Sequence, residues 1–204
     1  KWDTRIFGCK VLLSLFLKEQ LMSDFKILNL QPLKEEQLYE GVYLLILNAR
    51  LVPPHLLLTV AGKVYGISTK GPSFDKDVNI YLNHIKKRNI ESVFVKLKLP
   101  SIYTDKQMLD SVREVVKAYP RVDIGAATCL SPIKDFMNFN YQTEVHDVHL
   151  IFDLLPKLQE QDIIEGYYQM NLEFVMNRGD LLMKRYTVFE VNEAIHDALP
   201  KVFR

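Results

Sequence analysis

Six consecutive apolar residues, Val42-Tyr43-Leu44-Leu45-Ile46-Leu47, follow Gly41 and run toward Pro53-Pro54. A run of this length, rich in β-formers and bounded by turn residues, is a buried strand. A buried strand commits the chain to a sheet with a hydrophobic layer against it. The two prolines end the ladder, because neither can donate to it. His55-Leu-Leu-Leu-Thr-Val then reads as a strand, Ala61-Gly62-Lys63 as a turn, and Val64-Tyr-Gly-Ile-Ser as the returning strand of an antiparallel hairpin. Lys70-Gly71-Pro72 breaks that second strand.

Further along, Val78, Tyr81, Leu82 and Ile85 mark one face of a helix ending near Asn89. Ser92 to Leu99 alternates Val93, Val95, Leu97 and Leu99 against Phe94, Lys96 and Lys98, a strand with one face toward the core, stopped by Pro100. Thr104 and Gln107 form a capping box for a helix carrying Met108, Leu109, Val112, Val115 and Val116. Leu158 to Met176 reads as another helix, and Thr187 with Glu190 caps a last one reaching Leu199. The pattern is α+β. It divides into an upstream extension at residues 1–21, a core at 22–140, and a mainly helical extension at 141–204 packed on the same domain.

Composition excludes several classes. Lys and Arg number 26 against 25 Asp and Glu, which argues against a nucleic-acid partner that relies on a basic face. Two cysteines, Cys9 and Cys129, make neither a disulfide framework nor a metal site. His146 and His149 share a possible helix face without a carboxylate motif beside them, so no metal is expected. The glycines are scattered singly and build no phosphate loop, so no cofactor is expected either. Val11 to Leu17 is apolar after a positive segment, as in a signal peptide, but it is too short to span a membrane. Lys18-Glu19-Gln20 follows it where a small-residue cleavage site belongs. A cytoplasmic protein without stable membrane insertion is the expectation, and a lone thiol stays reduced there.

The chemistry is expected at Cys129. Small residues (Gly125, Ala126, Ala127) lead up to it, Ser131 offers an N-cap oxygen, and Pro132 fits a first helical turn. A thiol at a helix start meets unpaired N–H groups and the positive end of the dipole, which favour thiolate. A thiol nucleophile needs a base. His55, opening a buried strand after Pro53-Pro54, lies at the sheet's rim, where a cleft can form. His84 and His196 sit on polar helix faces. The bland readings are a small buried apolar Cys129 and a His55 bonded to a loop carbonyl.

The order of elements from Glu40 to Met137 resembles the circularly permuted branch of the NlpC-type, papain-like cysteine peptidases and amidases. Glu40-Gly41-Val42-Tyr43-Leu44-Leu45 is similar to that family's opening strand, and His55 to Tyr65 to its histidine hairpin. Lys70-Gly71 falls where a Lys-Gly often follows, and Cys129 matches the nucleophile. The resemblance implies a papain-like antiparallel sheet packed with helices, with Cys129 attacking an amide or ester carbonyl while His55 takes the thiol proton. It also implies a polar residue that orients the histidine, expected where this chain has Gly66; Ser68 or Thr69 would have to substitute. Cys-Leu-Ser-Pro likewise replaces the usual Cys-Ser or Cys-Thr start. The substrate classes are a small peptide, a lipid or another acylated molecule. The alternative is an inactive papain-like scaffold serving as an interaction module, with a protein partner on the C-terminal helices. An unrelated α+β protein with a structural Cys129 is the third reading.

Overall fold

A computed structural model describes residues 24–199. The extension expected at residues 1–21, with Cys9, lies outside the described residues. In chain order the described residues form β1 (Phe25–Ile27), β2 (Gln31–Pro32), a 3-10 turn (Glu35–Tyr39), β3 (Val42–Leu47), β4 (His55–Val60), β5 (Lys63–Ser68) and β6 (Gly71–Asp77). There follow α1 (Val78–Arg88), β7 (Ser92–Leu97), α2 (Asp105–Lys117), α3 (Ser131–Tyr141), α4 (Ile151–Glu160), β8 (Ile164–Met170), β9 (Leu181–Met183) and α5 (Val188–Ala198).

The apolar run is the centre of the molecule. All six residues of β3 are buried, and the strand pairs antiparallel with β4 on one side and β7 on the other. The main sheet runs β2-β8-β7-β3-β4-β5-β6. Its pairings are antiparallel except the short one between β2 and β8. β1 pairs with β9 in a separate two-stranded ribbon.

Because side chains alternate along a strand, the sheet sends two sets inward. Leu44, Ile46, Leu56, Leu58, Val93 and Val95 pack with buried residues of α2, α3 and α4. Tyr43, Leu45, Leu57 and Phe94 pack on the other face with Val78, Leu82 and Ile85 of α1. β7 is therefore buried on both faces, not one: Phe94 is fully enclosed. The hairpin turn forms as expected, with Ala61 and Gly62 both at positive φ (44° and 75°), the pairing that matches strand twist. A side chain at Gly62 would also press on Tyr39, whose ring carbon stands 2.8 Å from the position of a Cβ.

The helix expectations hold for α1, whose left-handed Asn89 caps its end, and for the Thr104–Gln107 and Thr187–Glu190 capping boxes. The break after the second hairpin strand holds, since β5 ends at Ser68, but Thr69-Lys70 turns the chain straight into a further strand, β6, which tolerates Pro72 because it is the edge strand. One expectation fails. Leu158 to Met176 is not one helix. α4 ends at Glu160, Asp162 turns the chain at φ 56°, and β8 fills the edge that β7 would otherwise leave open. The segment beyond residue 140 is thus not mainly helical: it holds α4 and α5, but it also completes the main sheet and the ribbon.

Candidate active site

Cys129 is delivered by the end of the β5–β6 hairpin. The Val122 N–H donates to the Ser68 carbonyl at 2.9 Å, which ties the approach segment to β5. Asp123 and Ala127 then close a small loop on each other, N–H to O at 2.9 and 3.2 Å. The Leu130 N–H donates to Thr128 Oγ1 at 3.2 Å, and the Thr128 N–H to Ser131 Oγ at 3.0 Å. Ser131 is accordingly the first residue of α3 and not its cap: Leu130 holds the N-cap position without a side-chain bond, while Thr128 and Ser131 tie the turn that leads into the helix. Pro132, Ile133, Phe136 and Met137 bury the inner face of α3, so the thiol's position is set by the core.

Ionisation at Cys129 is a contest. The backbone N–H groups of Leu56, Cys129 and Leu130 favour the anion, as the helix start leads one to expect, but burial outweighs them and pushes the thiol pKa up. At neutral pH the resting sulfur carries its proton.

A cavity of about 240 Å³ opens on the thiol. His55 and Leu56 of β4 line it, together with Ser68, Thr69 and Cys129, so the sequence-derived catalytic and orienting residues share one cavity. Leu56 is the residue whose N–H approaches the sulfur, and His55 is its immediate neighbour in the chain. Burial pushes the His55 pKa down, so the imidazole is neutral at pH 7. Its ring makes no hydrogen bond among the described residues, to Cys129 or to any orienting group. Ser68 is engaged elsewhere: its hydroxyl donates to the Gly71 carbonyl and accepts from the Lys70 N–H, each at 3.2 Å. Thr69 lies on the wall without a hydrogen bond to the imidazole. Gly66 has a packing reason, since a Cβ there would stand 2.5 Å from Leu57 Cδ2.

Three contributors to this cavity escape sequence reasoning. Tyr186 follows β9 and lines the cavity. Its ring meets Phe152 edge-on at 4.7 Å, and burial, then Cys129, then Asp153 raise its phenol pKa. Ile195, the one buried residue of α5, closes the cavity from the C-terminal side. His149 is exposed and lines both this cavity and a second of about 300 Å³, which share Thr128, Leu130 and Val191. The two form one cleft under α5. A capping box marks the helix that carries Ile195, but no local pattern says that these three residues gather over the thiol; that follows only from the way the C-terminal segment folds back.

The remaining histidines lie outside the cleft. His84 is exposed on α1, His146 has its Nδ1 3.0 Å from the Asn138 amide, and His196 is exposed beside Asp197. Among the described residues no three His, Cys, Asp or Glu side chains gather as metal ligands. No described helix is long and apolar enough to cross a membrane. A larger groove of about 660 Å³ between β1 and β8 carries no thiol or histidine. No family model, curated protein or solved structure matches the chain.

Proposed function

We propose that the chain is a thiol hydrolase or acyltransferase acting on an amide or ester through Cys129 and His55. The carrying observation is that these two side chains, from the head of β4 and the start of α3, line one cavity, with the intervening Leu56 N–H at the sulfur. Because the resting pair is neutral, His55 takes the proton in the same step as the sulfur attacks the carbonyl carbon. The tetrahedral oxyanion then collapses. The C=O re-forms, the bond to the amine or alcohol breaks, and the imidazolium gives its proton to that leaving group. Water or a second acceptor, deprotonated by His55, attacks the thioester and restores the thiol.

The mostly apolar wall of this cavity of about 240 Å³ favours an apolar acyl group. In this reading the scaffold is papain-like in permuted NlpC-type order, supported by the succession of β3, the histidine hairpin, α1, β7, α2 and the cysteine-headed α3. A reducing compartment, the cytoplasm, suits a lone working thiol.

A second reading is favoured by the unoriented imidazole: an inactive scaffold that binds a ligand or partner without turnover, its C-terminal helices serving as the docking surface. Acylation separates the two. With p-nitrophenyl butyrate, wild-type protein should give a burst of nitrophenol and a butyryl adduct on Cys129 by intact mass. Cys129→Ala should abolish both, and His55→Gln should slow the burst about 100-fold or more, the usual worth of a general base. No adduct, or the same turnover in Cys129→Ala, sinks the enzyme reading in favour of the module.

A further inference from the structure

We propose that the Tyr186 hydroxyl is a donor of the oxyanion hole at Cys129, a catalytic role for a residue of the C-terminal segment that rests on the acyl-transfer reading above. Two observations carry it. Tyr186 is only 6% exposed, yet its hydroxyl has no hydrogen-bond partner among the described residues. Buried tyrosines ordinarily find one. Nor is the hydroxyl sealed in the core: Tyr141 has a fully enclosed, unpartnered hydroxyl, whereas Tyr186 lines the Cys129 cavity. It is a donor waiting on whatever enters.

The ring is held rather than free to swing. Its edge packs on Phe152 with centroids 4.7 Å apart. The preceding residue, Arg185, lies over the Phe25 and Phe152 rings at 5.7 and 5.5 Å, and Leu181–Met183 is anchored in the ribbon with β1. Preorganised donors of this kind are worth most in a water-poor site, where they need not reorient as charge develops. When the sulfur bonds to the carbonyl carbon, the new O⁻ lies one bond from that carbon, inside the cavity that Tyr186 and the thiol both line. The Cys129 N–H supplies the backbone partner. The phenol keeps its proton over the working pH range, because burial and the neighbouring thiol and carboxyl oppose its ionisation.

Tyr186→Phe removes one oxygen and no intramolecular hydrogen bond, so thermal unfolding should stay within about a degree of wild type. With p-nitrophenyl butyrate, kcat should fall about 100-fold, the low end for loss of an oxyanion donor, while KM changes less than threefold. With the thionoester analogue, whose developing sulfur anion is a poor acceptor, the gap between wild type and Tyr186→Phe should shrink below tenfold. A purely structural tyrosine would lower both substrates equally. If Tyr186→Phe keeps kcat within twofold while Cys129→Ala abolishes acylation, or if both substrates fall alike, Tyr186 is only cavity wall and the thiol reading stands. If Cys129→Ala leaves turnover unchanged, the thiol reading falls and this inference with it.

Discussion

At the scale of single residues, burial decides the ionisation of the site, and it fixes the sign of a pH effect. The His55 pKa is lowered in the folded chain, while in the unfolded chain it sits near the usual 6.5 or so. As pH falls through that range the unfolded state takes up a proton that the folded state resists, so stability is intact above it and lost below it. Between about pH 7 and pH 5 the urea midpoint should therefore fall more steeply for wild type than for His55→Gln. Parallel slopes would mean that the imidazole is freely solvated. Both Cys129 and His55 are legible as candidates, because small residues before a Ser-Pro and a histidine after two prolines are local signals. The protonation state of Cys129 is not legible. It depends on what covers the sulfur, and although the Thr187–Glu190 box marks the helix that carries Ile195, nothing local says that Tyr186 and this helix fold back over Cys129.

Elements were readable wherever the signal is local. Capping boxes at Thr104 and Thr187 mark the starts of α2 and α5 because the hydrogen bonds they describe stay within four residues. β8 is unreadable by the same measure. Ile163-Ile164 and Tyr167-Tyr168 place apolar residues side by side, which blurs period two, and the reason for a strand there is the open edge of β7, a partner far away in sequence. α5 shows what such a distant element does. Of its eleven residues only Ile195 is fully buried, Val191 and the C-cap Leu199 pack partly against the core, and Phe189 is 68% exposed, so few side chains hold the helix over the cleft and Ile195 is the deepest of them. Burying an isoleucine is worth roughly 1.5–3 kcal/mol, so Ile195→Asp should release the helix while the sheet and remaining helices keep their circular dichroism. Iodoacetamide should then alkylate Cys129 at least tenfold faster at pH 7.5. An unchanged rate would show that reagent reaches the thiol by another route.

At the scale of the whole molecule, the boundary expected near residue 140 meets a sheet that crosses it. β8 forms a ladder along the length of β7, and α4 adds Ile151, Phe152, Leu154, Leu155 and Leu158 to the core beneath β3, β4 and β7. A chain cut after Tyr141 would expose the β7 edge and open that layer, losing five large buried side chains at roughly 1.5–3 kcal/mol each against a typical total stability of about 5–15 kcal/mol. Such a chain should show no cooperative urea transition and should associate through the unpaired edge. Its Cys129 should react with iodoacetamide as an ordinary exposed thiol. A cooperative transition whose denaturant slope scales with the shorter length would make residues up to 141 an independent folding unit and the rest an appendage. The span from Glu40 to Met137 by itself leaves the sheet unfinished at β7. The chain completes its fold, and covers its thiol, with residues beyond that span.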